Sequence, residues 1–120
     1  MLNYTPLWMA PSGMARAEKS EWEFRYKPLL GEYEVYSGEL DDPDQPNKNG
    51  ANLSIKIVDE AAKEIFNNLG RDVKHACQAA PGEKMRVKND VVCYLSKEGQ
   101  YSCYIGFNLQ TGKSRPGVIC

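Results

Sequence analysis

The residues of this 120-residue chain best suited to covalent chemistry are its four cysteines, Cys77, Cys93, Cys103 and Cys120. Their successive spacings of 16, 10 and 17 positions contain no C-x-x-C pair, the arrangement that holds zinc or runs thiol–disulfide exchange. Disulfides fit better: the count is even and confined to the last 44 residues, as in a small framework made in an oxidising compartment. Three pairings are open. A hairpin looped at Lys97-Glu98-Gly99 sets Cys93 opposite Cys103 and permits that bond. The expected pairing is nevertheless Cys77 to Cys93 and Cys103 to Cys120, because each bridge then ties a segment outside the hairpin onto it. Four reduced cysteines used as small core residues are the alternative.

Other reactive groupings fall short of a working constellation. Thr111-Gly112-Lys113-Ser114 ends like a phosphate-binding loop, but Gly106 lies one position too far upstream and no helix follows to carry the loop. It reads as a turn between strands. His75 is the only histidine. Standing two positions before Cys77, it is better placed beside a disulfide than in a Cys–His nucleophile pair. Carboxylates from Asp41 to Asp44 are hard oxygen ligands on a turn, yet the EF-hand template fails at Pro46. Glu32, Glu34 and Glu39 offer acid and base groups with nothing to set two of them at a working separation. No catalytic residue, metal or cofactor is therefore expected.

Contact with a partner is the stronger prospect. Lys84, Arg86 and Lys88 alternate along one strand face, and Tyr94 and Tyr104 lie on the non-cysteine face of the adjoining hairpin. Arg and Tyr are favoured in protein interfaces. The competing reading is a solvated sheet face whose lysines guard an edge against pairing. Basic residues among aromatics also suit single-stranded nucleic acid, but a net charge of only −1 supplies no field for it. The charge is uneven: residues 1–60 carry six Lys/Arg and eleven Asp/Glu, residues 61–120 nine and five.

The elements that must position these groups can be read from periodicity. Trp22, Phe24 and Tyr26 alternate with charges, as do the residues from Glu32 to Tyr36, so a hairpin around Pro28 to Gly31 is expected. Asp41 to Gly50 is turn chemistry and reads as a surface loop. A strand over Asn52 to Val58 follows. Val58, Ala61, Ala62, Ile65, Phe66 and Leu69 recur at helical spacing, with Asp59 as the expected N-cap and Gly70 as the stop. Arg71 to Pro81, with Cys77, reads as a loop or one further short turn of helix. The remainder is a meander: Lys84 to Lys88, a turn at Asn89-Asp90, Val91 to Ser96, Gln100 to Phe107, and a return of Val118 to Cys120 to the sheet.

These elements predict an α+β domain over residues 21–120, an antiparallel sheet of about six strands packed by one main helix and held by two disulfides. Residues 1–20 read as a flexible arm or as the remnant of a secretory signal ending at Ala15-Arg16-Ala17. Apolar residues make up 42% of the chain and charged residues 26%, the balance of a globular domain rather than a disordered one. No run of eighteen apolar residues exists to span a membrane as a helix.

The segment from Cys93 to Cys120, with Tyr101-Ser102-Cys103-Tyr104-Ile105-Gly106-Phe107-Asn108-Leu109-Gln110-Thr111-Gly112-Lys113-Ser114 and the closing Gly117-Val118-Ile119-Cys120, resembles small exported proteins of Gram-negative bacteria that have no assigned function. The helix phrase Ala61-Ala62-Lys63-Glu64-Ile65-Phe66 is similar to the same group. The resemblance covers about half of the chain and implies export and paired cysteines. Together these readings point to a periplasmic or secreted binding protein, an inhibitor or toxin-immunity protein acting on a protein partner. A small enzyme and a structural envelope module are the alternatives.

Overall fold

The computed structural model describes residues 25–73 and 80–118. Six strands and one helix follow in the order β1 (Leu30–Glu39), β2 (Asp42–Asp44), β3 (Asn52–Val58), α1 (Asp59–Asn67), β4 (Lys84–Lys88), β5 (Val91–Leu95) and β6 (Tyr101–Asn108). All neighbours pair antiparallel, in the spatial order β2-β1-β3-β6-β5-β4. The α+β architecture expected from periodicity is thus present, with one helix on a six-stranded sheet.

Alternation along each strand sorts side chains onto two faces. One face carries Ile57, Cys93 and Cys103, which form the main core with Ala62 and Phe66 of α1. The other carries a smaller cluster of Met85, Val92 and Tyr94, edged by Val87, Tyr104 and Val118. A nine-residue helix is only about 14 Å long and about 10 Å across. Six strands span about 24 Å, so α1 covers β3, β6 and β5 and cannot also shield β1.

Several sequence expectations need correction. Pro28 stops no strand: residues 25–29 have no regular structure, and Tyr26 is fully exposed. The expected strand from Trp22 to Lys27 is therefore absent over its described part, and its remaining residues lie outside the described segments. β1 instead runs longer and takes its partner from β3, in a register from Leu30 opposite Val58 to Tyr36 opposite Asn52. The acidic loop after β1 contains a short strand, because a tight turn at Leu40 and Asp41 folds Asp42–Asp44 back against Ser37–Glu39. Asp59 does not cap α1 through its side chain. Its backbone takes a φ of 61°, a left-handed bend that lets β3 pass into the helix without a loop and that Asp tolerates better than most residues. Gly70 has a φ of 95° at the expected stop. Val118 packs on the smaller cluster rather than pairing as a strand, and Ile119 and Cys120 lie outside the described segments.

The disulfide joins Cys93 to Cys103, so the expected partition into Cys77–Cys93 and Cys103–Cys120 is overturned. The physical reason is register. Cys93 stands directly opposite Cys103 with 4.0 Å between their Cα atoms, the close approach of a pair that does not exchange ladder hydrogen bonds. Both residues are fully buried under α1, and neither described cysteine is free. One bridge rather than two is seen among the described residues; Cys77 and Cys120 lie outside them.

Candidate functional site

The five residues picked from sequence as contact groups divide between opposite faces. In the β4–β5 register Lys84, Arg86 and Lys88 stand opposite Leu95, Cys93 and Val91, which places them on the helix side. Tyr94 and Tyr104 lie on the other side, edge to face with ring centroids 6.0 Å apart, and Tyr94 is buried. A flat partner surface laid on either face would meet only one of the two groups.

Arg86 is also engaged within the fold. Its guanidinium carbon lies 4.2 Å from the centre of the Phe66 ring. Nη1 donates to the carbonyl oxygen of Phe66 at 2.9 Å and Nε donates to Asp72 at 2.9 Å. Phe66 is in the last turn of α1, where carbonyls lack intrahelical donors and the dipole favours a cation. The Asn68 and Leu69 N–H groups close the helix end onto the Ile65 and Phe66 carbonyls; Arg86 adds a charged donor there, covers the buried aromatic and holds Asp72 of the following loop. Lys84 and Lys88 remain exposed.

The opposite margin of the sheet differs in character. Among the described residues β1 meets a strand on its outer side only at Ser37–Glu39, so Leu30 to Tyr36 form an open edge. The ladder itself shows which backbone groups this leaves. Ser96 donates its N–H to the Gln100 carbonyl at 2.9 Å, so alternate residues from Tyr94–Ser102 onward face each other across β5 and β6. Carrying the alternation through the β6–β3 and β3–β1 registers turns Leu30, Glu32, Glu34 and Tyr36 toward β3. Gly31, Tyr33 and Val35 point their N–H and C=O groups outward.

The side chains on this edge are unusually accessible. Tyr33 is 75% exposed and Leu30 60%, and Glu32 and Glu34 are exposed as well. Glu32 and Glu34 line a cleft of about 710 Å³ that also takes in Ser54, Lys56, Tyr104 and Val118. The C-terminal segment forms one wall. Gly117 sits so close to the sheet that a Cβ there would fall 2.5 Å from the Ile105 carbonyl oxygen, and Ser54 Oγ donates to the Gly117 carbonyl at 2.8 Å.

Next to this cleft lies Tyr36, fully buried, whose hydroxyl has no hydrogen-bond partner among the described residues. Burial pushes its pKa up; Arg115 pulls it down, and Glu34 and Glu39 push it up again. Arg115 is paired with Glu39 at 3.5 Å. Burial raises Tyr94 too, with Tyr104 and Glu83 adding to the effect.

The remaining sequence candidates occupy ordinary positions. Leu109 to Thr111 form a turn, with Asn108 accepting from the Gln110 and Thr111 N–H groups, and Ser114 bridges back to Phe107. Asp42 and Asp44 lie on β2, and no group of three or more His, Cys, Asp or Glu residues is arranged to hold a metal ion among the described residues. No helix of the described residues is long and apolar enough to cross a membrane. His75 lies outside the described segments. The open edge went unnoticed in the sequence because its residues alternate like any half-buried strand. The one usable signal was Pro28, which weakens any hairpin pairing upstream. No protein-family model matches the chain, and no curated protein and no solved structure matches it.

Proposed function

We propose that this chain is an exported binding protein that works by contact with another protein, as inhibitors and toxin-immunity proteins do, and that the contact is made by the β1 side of the sheet. The observation that carries the reading is the edge from Leu30 to Tyr36, unpaired among the described residues, with Tyr33 and Leu30 exposed. Edge strands are normally blunted by lysine, proline or a covering element. The β4 edge follows that habit, with Lys84 and Lys88 flanking Met85, whose carbonyl accepts the Val73 N–H at 2.8 Å. β1 carries neither Lys nor Pro, and its only charges are the exposed carboxylates Glu32, Glu34 and Glu39.

Export belongs to the same reading. Its support is the buried Cys93–Cys103 bridge, a bond characteristic of oxidising compartments, together with the resemblance to small exported Gram-negative proteins. With Cys93 and Cys103 joined, the second bridge of this reading is Cys77 to Cys120, and peptide mapping without reductant tests it.

The functional test is a photocrosslinking residue placed at Tyr33 in protein produced by its native host. A discrete adduct with one protein is expected, absent when the same group replaces Lys63 on the exposed side of α1. The reading fails if position 33 yields no adduct, or the same adducts as position 63.

A further inference from the structure

We propose that the β1 edge binds its partner by strand addition, and that the incoming strand alternates Lys or Arg with apolar residues. This rests on the protein-contact reading above and specifies its chemistry.

The backbone supplies the attachment. Gly31, Tyr33 and Val35 offer three N–H donors and three C=O acceptors along one line, the template that an extended peptide completes when it joins a sheet. A strand opposite Leu30 to Tyr36 needs about seven residues, or about 23 Å. Its end is defined, because β2 occupies the same side of β1 from Ser37 onward. That stop fixes where the added strand ends, and a fixed end selects one register over its neighbours.

The side chains select the sequence. On the cleft side the added strand would run beside Glu32 and Glu34, two carboxylates against the single Lys56 that stands opposite Glu32 on β3, with no ion pair formed by either Glu among the described residues. Basic side chains placed there meet carboxylates directly or diagonally, the favourable arrangement of cross-strand charges. On the helix side the neighbours are Tyr33 and Val35, next to Ile55 and Leu53 of β3. Tyr33 is exposed and Val35 and Leu53 only half-buried, at the margin of the helix-covered face, while half-buried Ile55 packs on the main core beneath α1. Apolar side chains arriving there would extend the core past the helix. A period of two in the sheet converts these two environments into a basic-apolar alternation in the partner.

The test uses the full oxidised protein and three synthetic peptides of equal length: one alternating Lys and Val, one alternating Glu and Val, and the Lys/Val peptide methylated on alternate backbone nitrogens. Affinity is measured by fluorescence anisotropy at low and physiological salt, and the site by amide shifts in NMR. The Lys/Val peptide is expected to bind with shifts centred on Tyr33 and Val35 and to weaken with salt. The Glu/Val and methylated peptides should bind roughly tenfold or more weakly. Glu32→Lys with Glu34→Lys should reverse the charge preference; both side chains are solvent-exposed, so an unchanged melting temperature confirms that the fold is retained. Tyr33→Pro removes one outward N–H and leaves the β1–β3 ladder its bonds, so it should weaken the Lys/Val peptide roughly fivefold.

Equal binding of the Lys and Glu peptides, equal binding of the methylated peptide, or shifts mapping to another edge would overturn the proposal. If all peptides fail while the position-33 adduct persists, strand addition is wrong and the protein-contact reading stands. If both fail, the reading itself is lost.

Discussion

Replacing Arg86 by Ala should destabilise the domain, and the structure sets the size of the loss. Three contacts act through one guanidinium. A hydrogen bond to a carbonyl from a charged donor contributes about 1.5–3 kcal/mol. Stacking over an aromatic ring adds about 0.5–2 kcal/mol. The pair with the more exposed Asp72 adds under about 1 kcal/mol. Because they share one group these do not simply add, and about 3 kcal/mol is the expected total. For a domain of this size that lowers the melting temperature by about 12 °C. Lys should recover less than half of the loss, since an ammonium lacks the planar fork that bonds and stacks together. Asp72→Asn should cost little. Thermal unfolding by circular dichroism, at fixed pH and protein concentration, reads all three variants. An Arg86→Ala protein that melts within about 2 °C of the parent would refute the anchoring role and return Arg86 to the pool of free surface contacts.

Loss of the disulfide through Cys93→Ala with Cys103→Ala should cost about 3 kcal/mol from loop entropy alone, measured by urea unfolding. In the native protein the bond should resist mild reductant until the domain opens, so reduction should follow the global unfolding rate as denaturant rises; fast reduction in water would contradict burial of both sulfurs. Tyr36→Phe removes a buried hydroxyl without a partner and should raise stability at neutral pH by about 1 kcal/mol. A clear loss instead would show that the hydroxyl bonds to something in solution. Since burial raises Tyr36 and Tyr94, the folded state keeps protons that the unfolded chain releases. Their contribution is full below about pH 10 and is lost as pH rises from there through the raised folded values. Replacing both by Phe should flatten that alkaline fall, and an unchanged slope would refute the assignment. Gly117→Ala would force a methyl against the Ile105 carbonyl and should cost about 1–3 kcal/mol, with NMR shifts along β6 showing the C-terminal wall of the cleft displaced.

Local pattern was enough for most of the element list. Alternation marked β3, β4, β5 and β6; helical spacing from Ala61 to Leu69 marked α1; and the Lys97-Glu98-Gly99 loop placed Cys93 opposite Cys103. Each of these depends on neighbours close along the chain. The Cys93–Cys103 bond was permitted by that register and yet not preferred, because the choice among three pairings depends on where distant segments lie.

The functional reading suffered from the same limit. Arg86 has the residue type of an interface anchor, but only the packing of α1 on the sheet reveals that Phe66 and its carbonyl already occupy the guanidinium. Tyr94 and Tyr104 looked like partners of the basic strand until the register set them on the opposite face. What the sequence determined by itself was therefore composition, the α+β element types and a cysteine pair in register, all governed by short-range geometry. Which strand edge stays open among the described residues was decided only in three dimensions. A strand's hydrogen-bonding edges are filled by segments remote in sequence, and a helix of nine residues is too short to cover the edge that β3 and β2 left open.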